Sequence, residues 1–169
     1  KPISSNTGKE QFLIAREMLI KNEYNHYEIS NFSKTGSRSI HNQNYWNKTS
    51  YLGVGPSAHS FNGSTRRWNI KNNSIYLKRI DKGECVYEEE ILTKKNIINE
   101  YILTKLRTSS GISQDDLYKE MNNKQQKKFN MEINKLETKN LINSKENRCY
   151  LTEEGMLVAD SVSEKLFLI

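Results

Sequence analysis

Residues 41–46 read His-Asn-Gln-Asn-Tyr-Trp, and Gly-Val-Gly-Pro-Ser-Ala-His-Ser-Phe-Asn-Gly follows at 53–63. The first stretch concentrates groups that coordinate, stack and hydrogen-bond. His41 is a candidate metal ligand through one ring nitrogen, provided a neighbour such as Asn42 fixes the other. Tyr45 and Trp46 offer flat apolar faces with polar tips, suited to stacking on a planar ligand. The same residues also admit a plain structural use: a Tyr-Trp pair can fill a core, and a single His can make one structural hydrogen bond. Gly53 and Gly55 would let backbone lie close to another group at a strand end, either a cofactor or a tightly packed strand. The run Gly-Val-Gly-Pro-Ser-Ala-His lacks the third glycine of a dinucleotide fingerprint, and no helix clearly starts there.

Arg38, Arg66 and Arg67 lie near these stretches in sequence, and guanidinium forks suit carboxylates. Ordinary surface charge is the alternative. The spacing of His26, His41 and His59 matches no common metal site. No Ser-His-Asp set is legible, and no carboxylate pair stands out from its background. Cys85 and Cys149 are the only cysteines and are far apart, which excludes a disulfide framework and a cysteine-rich zinc site.

The chain has 169 residues and a net charge of +6. That balance weakly favours an acidic partner: nucleic acid, phosphate or polycarboxylate. No apolar run approaches the roughly 20 residues of a membrane span. The start, Lys-Pro-Ile-Ser-Ser, has no signal-peptide core and no initiator Met. These features predict a soluble cytoplasmic protein, and the early first helix suggests a piece of a longer chain.

The elements that must position the two stretches follow from periodicity. Residues 8–22 predict an amphipathic helix with Phe12, Ala15, Met18 and Leu19 inward, stopped at Asn22. Residues 24–32 predict one strand, with Tyr27 and Ile29 on one face, so helix and strand make half of an α/β unit. A short strand at 51–55 leads through 58–63 to a hairpin turn at Asn62-Gly63 and a return strand at 65–70. Residues 73–83 predict a helix burying Ile75, Leu77 and Ile80 and ending at Gly83. Residues 84–92 read as extended or loop, linking two units.

From Thr93 the pattern becomes helical. Ile98, Tyr101, Ile102 and Leu106 mark one helix. Ser113 caps a second, with Asp116 as its capping partner. Phe129, Ile133 and Leu136 mark a third. Two short strands at 141–152 and a last helix capped by Thr152 complete a winged-helix order. The domain boundary is placed between 91 and 92. A winged helix suggests DNA binding through its third helix, which carries Lys124, Lys127, Lys128, Lys135 and Lys139. Residues 92–169 nevertheless hold thirteen Lys and Arg against eleven Asp and Glu, and the exposed face of that helix has no Arg for bidentate base reading. A nucleic-acid-binding module is therefore the alternative function, and a packing module or lid the blander one.

The ordered series Tyr-Glu-Ile-Ser-Asn-Phe-Ser-Lys-Thr-Gly-Ser-Arg-Ser-Ile-His-Asn-Gln-Asn-Tyr-Trp, Tyr-Leu-Gly-Val-Gly-Pro-Ser-Ala-His-Ser-Phe-Asn-Gly and Arg-Arg-Trp-Asn-Ile closely resembles the C-terminal half of oxygen-independent coproporphyrinogen III oxidase-like radical SAM proteins. The nearest branch is the one regarded as heme chaperones. The likeness runs from about residue 10 to the end and is densest over 27–70. Residues 99–112 fit the family's next segment through Arg107 and Gly111-Ile112. The resemblance implies an α+β chain: the last α/β unit and flanking strands of a partial radical SAM barrel over 1–91, then a winged-helix-like accessory domain over 92–169.

It also implies a [4Fe-4S] cluster and S-adenosylmethionine in the intact protein. The cluster would be held by a Cys-x3-Cys-x2-Cys motif that this sequence does not contain, so the fragment is expected to be inactive as a radical oxidoreductase. His41, Asn42, Tyr45 and Trp46 match the family's His-Asn-x-x-Tyr-Trp motif, associated with heme binding in the chaperone branch, with His41 as the iron ligand. Gly55, Ser57, Ala58 and His59 match the segment near the cofactor pocket. Arg38, Arg66 and Arg67 are then candidates for porphyrin propionates. The implied partners are porphyrin or heme, an N-terminal radical SAM core, and a heme-accepting protein.

Overall fold

The computed structural model describes residues 5–168. The chain begins with α1 (Ser5–Lys21), β1 (Asn25–Glu28) and β2 (Asn31–Ser33). It continues with α2 (Ile40–Trp46), β3 (His59–Phe61), β4 (Thr65–Asn69), α3 (Asn73–Asp81) and β5 (Tyr87–Ile91). The remainder is α4 (Lys94–Leu106), β6 (Ile112–Ser113), α5 (Gln114–Glu120), α6 (Asn123–Thr138), β7 (Ile142–Lys145), β8 (Arg148–Leu151), α7 (Glu153–Met156) and α8 (Ala159–Leu166). The class is α+β, and every strand pair among the described residues is antiparallel.

Contacts divide the chain into two compact units: Lys1–Ser39 with Ile98–Ile169, and Ile40–Ile97. This grouping is not a single cut between 91 and 92. The first hairpin joins the helical half because its backbone hydrogen-bonds there. Ile29 N–H donates to the Arg107 carbonyl at 2.9 Å and Ser109 N–H to the Tyr27 carbonyl at 3.0 Å.

In the first unit, α4, α5 and α6 supply a core of Ile98, Ile102, Leu106, Leu117, Phe129, Ile133 and Leu136. Each spacing is that of one helix face, and full burial of Phe129 contributes roughly 1.5–3 kcal/mol. The caps hold as well. Ser113 accepts from Asp116 N–H, while Asn122 and Gln125 form a full capping box that starts α6. The sheet order β6-β8-β7 completes the winged-helix topology, with Cys149 and Leu151 facing the core.

Several expected features differ. The single strand over 24–32 is a hairpin: the chain reverses at Ile29-Ser30, where the Asn31 amide donates to the buried Glu28 carboxylate. α1 turns Phe12, Leu13, Arg16 and Leu19 inward but leaves Ala15 and Met18 exposed. The left-handed residue after α1 is Glu23, not Asn22, whose side chain instead donates to the Met18 carbonyl. The last helix is two, α7 and α8, broken at Val158, whose backbone is not helical. Just before the break, Gly155 packs so tightly on the Leu141 carbonyl that a Cβ would sit 1.9 Å from its oxygen.

In the second unit, β3-β4-β5 form a meander. Asn62 shapes the first turn by accepting from Thr65 N–H at 2.7 Å, and Gly63 takes φ +100°. Of the two readings of 84–92, extended or loop, the extended one holds over Tyr87–Ile91, where β4 supplies partners for the acids. Glu88 faces Trp68, Glu89 faces Arg67 and Glu90 faces Arg66 across the ladder. The expected strand at 51–55 is absent. Only Tyr51 bridges Phe61, and the Gly53 N–H bonds the Ser60 hydroxyl at 2.9 Å instead of a strand. α3 starts at the Asn72 cap and stops before Gly83 as expected, but Ile75, Leu77 and Ile80 are exposed.

Candidate functional site

α2 gives residues 41–46 a helical geometry. Residues four apart share a face, so His41 aligns with Tyr45 and Asn42 with Trp46. The His41 and Tyr45 rings meet edge-on, with centroids 5.0 Å apart. Tyr45 in turn meets Tyr51 edge-on at 4.9 Å, which joins α2 to the loop that follows it.

That loop, 51–58, is anchored at several points. Tyr51 and Phe61 exchange two backbone hydrogen bonds of 2.9 Å. Buried Asn69 donates its amide to the Gly55 carbonyl at 2.9 Å. Ser57 is left-handed at φ +61°, and Ala58 accepts from Asn69 N–H. Gly53 lies against the backbone of His59, where a Cβ would stand 2.1 Å from the carbonyl oxygen. Close approach therefore explains this glycine without a cofactor.

Between α2 and the loop lies an open recess of about 710 Å³. His41 and Tyr45 line it from the helix; Tyr51, Leu52, Gly53, Ser57, Ala58 and His59 line it from the loop and the start of β3. Tyr45 is 44% exposed and Leu52 82% exposed, an unusual display of apolar surface on a wall. Of the residues singled out in the sequence, the fold thus brings His41, Tyr45, Ser57, Ala58 and His59 together. Asn42 and Trp46 do not line the recess. Trp46 is half-buried, and its indole N–H is buried without a hydrogen-bond partner. Gly55 contributes its carbonyl to Asn69 rather than a surface to the recess. Tyr51 and Leu52 are the lining residues that sequence reasoning missed. Their signal was faint: an aromatic and a leucine directly before the glycines read as strand.

The arginines are not gathered there. Arg66 and Arg67 are adjacent on β4 and so project to opposite faces of the sheet. Arg67 pairs with Glu89 at 2.9 Å and lies over the Tyr87 ring at 4.3 Å. Arg38 belongs to the other compact unit, where its guanidinium lies 5.6 Å from the centre of the Tyr27 ring.

His26 also belongs to the other unit and is fully engaged. It stacks on Phe32 with centroids 4.1 Å apart, and its Nε2–H donates to the Ile29 carbonyl at 3.1 Å. Its Nδ1 accepts from Arg16. Burial pushes its pKa down, and the Arg16 charge adds to that. Among the described residues no three His, Cys, Asp or Glu side chains gather as a metal site. Cys85 is exposed and Cys149 buried, and two thiols cannot supply the three thiolates of a radical SAM cluster. The residues present do not fit that group.

Comparison with known proteins agrees with this architecture. The model of the HemN C-terminal domain matches residues 92–158. The heme chaperone HemW of Lactococcus lactis is 30% identical over 98% of this chain and 43% of its own length. The heme chaperone HemW of Bacillus subtilis is 30% identical over 90% of this chain and 41% of its own. The structure of Escherichia coli coproporphyrinogen III oxidase (HemN), a radical SAM enzyme, superposes with a TM-score of 0.77 at 15% identity, covering 98% of this chain and 42% of that one. The domain match and these relatives, together with the fold, are those of the C-terminal part of a radical SAM protein. Within that class the chain is HemN/HemW-like, and it spans less than half the length of the relatives it matches. S-adenosylmethionine and a [4Fe-4S] cluster belong to the intact family. No helix among the described residues is long and apolar enough to cross a membrane.

Proposed function

We propose that this chain is the porphyrin-handling C-terminal part of a heme chaperone, and that the recess between α2 and the 51–58 loop takes the macrocycle. The observation that carries this reading is the wall of rings: His41, Tyr45 and Tyr51 touch in series along an open concavity. A porphyrin is flat, apolar and iron-centred, so exposed aromatic faces and Leu52 suit its body and the His41 imidazole suits its iron. Heme is here cargo, bound and passed on to a heme-accepting protein. Residues 92–169 act as the accessory domain of the intact protein. In it, Gly55, Ser57, Ala58 and His59 stand next to the S-adenosylmethionine pocket. Asn42 and Trp46 act by holding α2 in place, not by touching ligand. Arg67 is already paired with Glu89, which weakens its candidacy for a propionate.

The test is titration of ferric hemin into the chain, followed by its Soret band. The wild type should shift the band saturably, and His41→Ala should alter the bound spectrum. A wild type that leaves the hemin spectrum unchanged refutes the reading. The DNA-binding alternative gains nothing from the structure. On α6, Lys135 is spent on Glu132 at 2.6 Å, and the exposed face offers lysines without an arginine.

A further inference from the structure

Three histidines occur in the sequence, and the structure separates them by use. His26 has both ring nitrogens occupied and one face covered. His41 and His59 are exposed, neither ring makes a hydrogen bond among the described residues, and both line the same recess. They approach from different walls: His41 from α2, His59 from the first residue of β3. Where the imidazole of His59 emerges is fixed by backbone. Gly53 is pressed on its carbonyl, Ser60 receives the Gly53 N–H, and Trp68 faces it across the β3–β4 ladder.

Ferric porphyrin iron has two axial positions, and neutral imidazole is a good ligand for either. We infer that His59 is a second iron ligand, so that the recess holds heme between two imidazoles, one from each wall. This inference rests on the porphyrin reading above and adds a residue and a coordination state to it. Two neutral nitrogen ligands give a six-coordinate, low-spin ferric iron; one gives a five-coordinate, high-spin iron or one completed by water. The two-imidazole arrangement also suits a carrier. Either ligand can let go while the other keeps the iron, which opens a position for an acceptor's own ligand.

The experiment is absorption and electron paramagnetic resonance spectroscopy of ferric hemin bound to the chain, for the wild type, His59→Ala and His41→Ala. The expected result is a low-spin wild type, and a high-spin signal in each variant that added imidazole returns to low spin. Iron-free protoporphyrin IX should still bind all three saturably, which shows that the recess remains in each variant. An unchanged urea midpoint of His59→Ala, followed by the fluorescence of Trp46 and Trp68, checks that the unit remains folded. A wild-type complex that is high-spin, that shows a tyrosinate charge-transfer band, or that stays low-spin in His59→Ala overturns the inference while leaving porphyrin binding in place. Failure of the wild type to bind hemin at all removes both.

Discussion

Replacing Gly53 by alanine tests how the recess is built. Its φ is not left-handed, so backbone strain is not the issue. The obstacle is three backbone atoms of His59: a Cβ would stand 2.1 Å from its oxygen, 2.7 Å from its carbonyl carbon and 2.8 Å from its nitrogen. None of these is the end of a flexible side chain, so the loop must move off β3. That movement stretches the Gly53–Ser60 bond at 2.9 Å and pulls on the Asn69–Gly55 bond. Overpacking of this kind costs about 1–3 kcal/mol, and each 1.4 kcal/mol is a tenfold change in the folding equilibrium.

The chain provides its own reporter. Its only tryptophans, Trp46 and Trp68, both lie in the Ile40–Ile97 unit, so fluorescence during urea unfolding follows that unit, while helical circular dichroism is dominated by the other. Gly53→Ala should lower the fluorescence midpoint and weaken hemin binding, leaving most of the helical transition in place. Gly8→Ala is the control. That glycine sits inside α1 with nothing within 4 Å of an added Cβ, and relief of backbone entropy should stabilise by roughly 0.5–1 kcal/mol. If Gly53→Ala matches the wild type in both midpoint and hemin affinity, the loop is not pinned to His59 and the account of the recess is wrong.

Two further predictions concern the other unit. Burial holds the folded-state pKa of His26 below its unfolded value, so its neutral form contributes stability that is present above about pH 6.5 and is lost as pH falls through the folded value. His26→Phe keeps the stack on Phe32 and removes the titration; the slope of stability against pH below 6.5 should flatten, and an unchanged slope would show that His26 does not titrate there on unfolding. Native chain should react quickly with iodoacetamide at one thiol only, since Cys85 is exposed while burial shields Cys149 and pushes its thiol pKa up. Mass mapping that finds Cys149 labelled as fast as Cys85 would contradict the packing beneath β8.

The winged-helix half was legible in the sequence because its signals agree with one another. Phe129, Ile133 and Leu136 keep helical spacing between a capping box and a left-handed Asn140, and every one is buried. The same spacing rule misled at α3 and α1, where Ile75, Leu77, Ile80 and Met18 are apolar but exposed. Periodicity reports which residues share a face; it does not report what covers that face. β5 was hidden for a different reason. Three glutamates in a row leave extended and loop equally open until Arg66, Arg67 and Trp68 are placed opposite them by the hairpin. The turn at Ile29-Ser30 was invisible because it uses neither Gly nor Pro.

Residues 41–46 stand out in the sequence for their chemistry, but only the helix decides that His41 and Tyr45 face the recess while Trp46 does not. His59, three residues before the hairpin turn, reached the same recess through long-range pairing that no local pattern encodes.

The ladder between β4 and β5 has a consequence for how copies of this protein meet. β5 is an outer strand of its sheet, a position from which one chain can recruit another by continuing the hydrogen-bonded lattice. Within the molecule the Glu89 carboxylate accepts from Arg67, that of Glu88 from the Trp68 indole and that of Glu90 from the Asn96 amide. A second β5 arriving alongside would bring carboxylates against carboxylates, so the pattern that fastens this strand at home discourages fibrous self-assembly through the same edge.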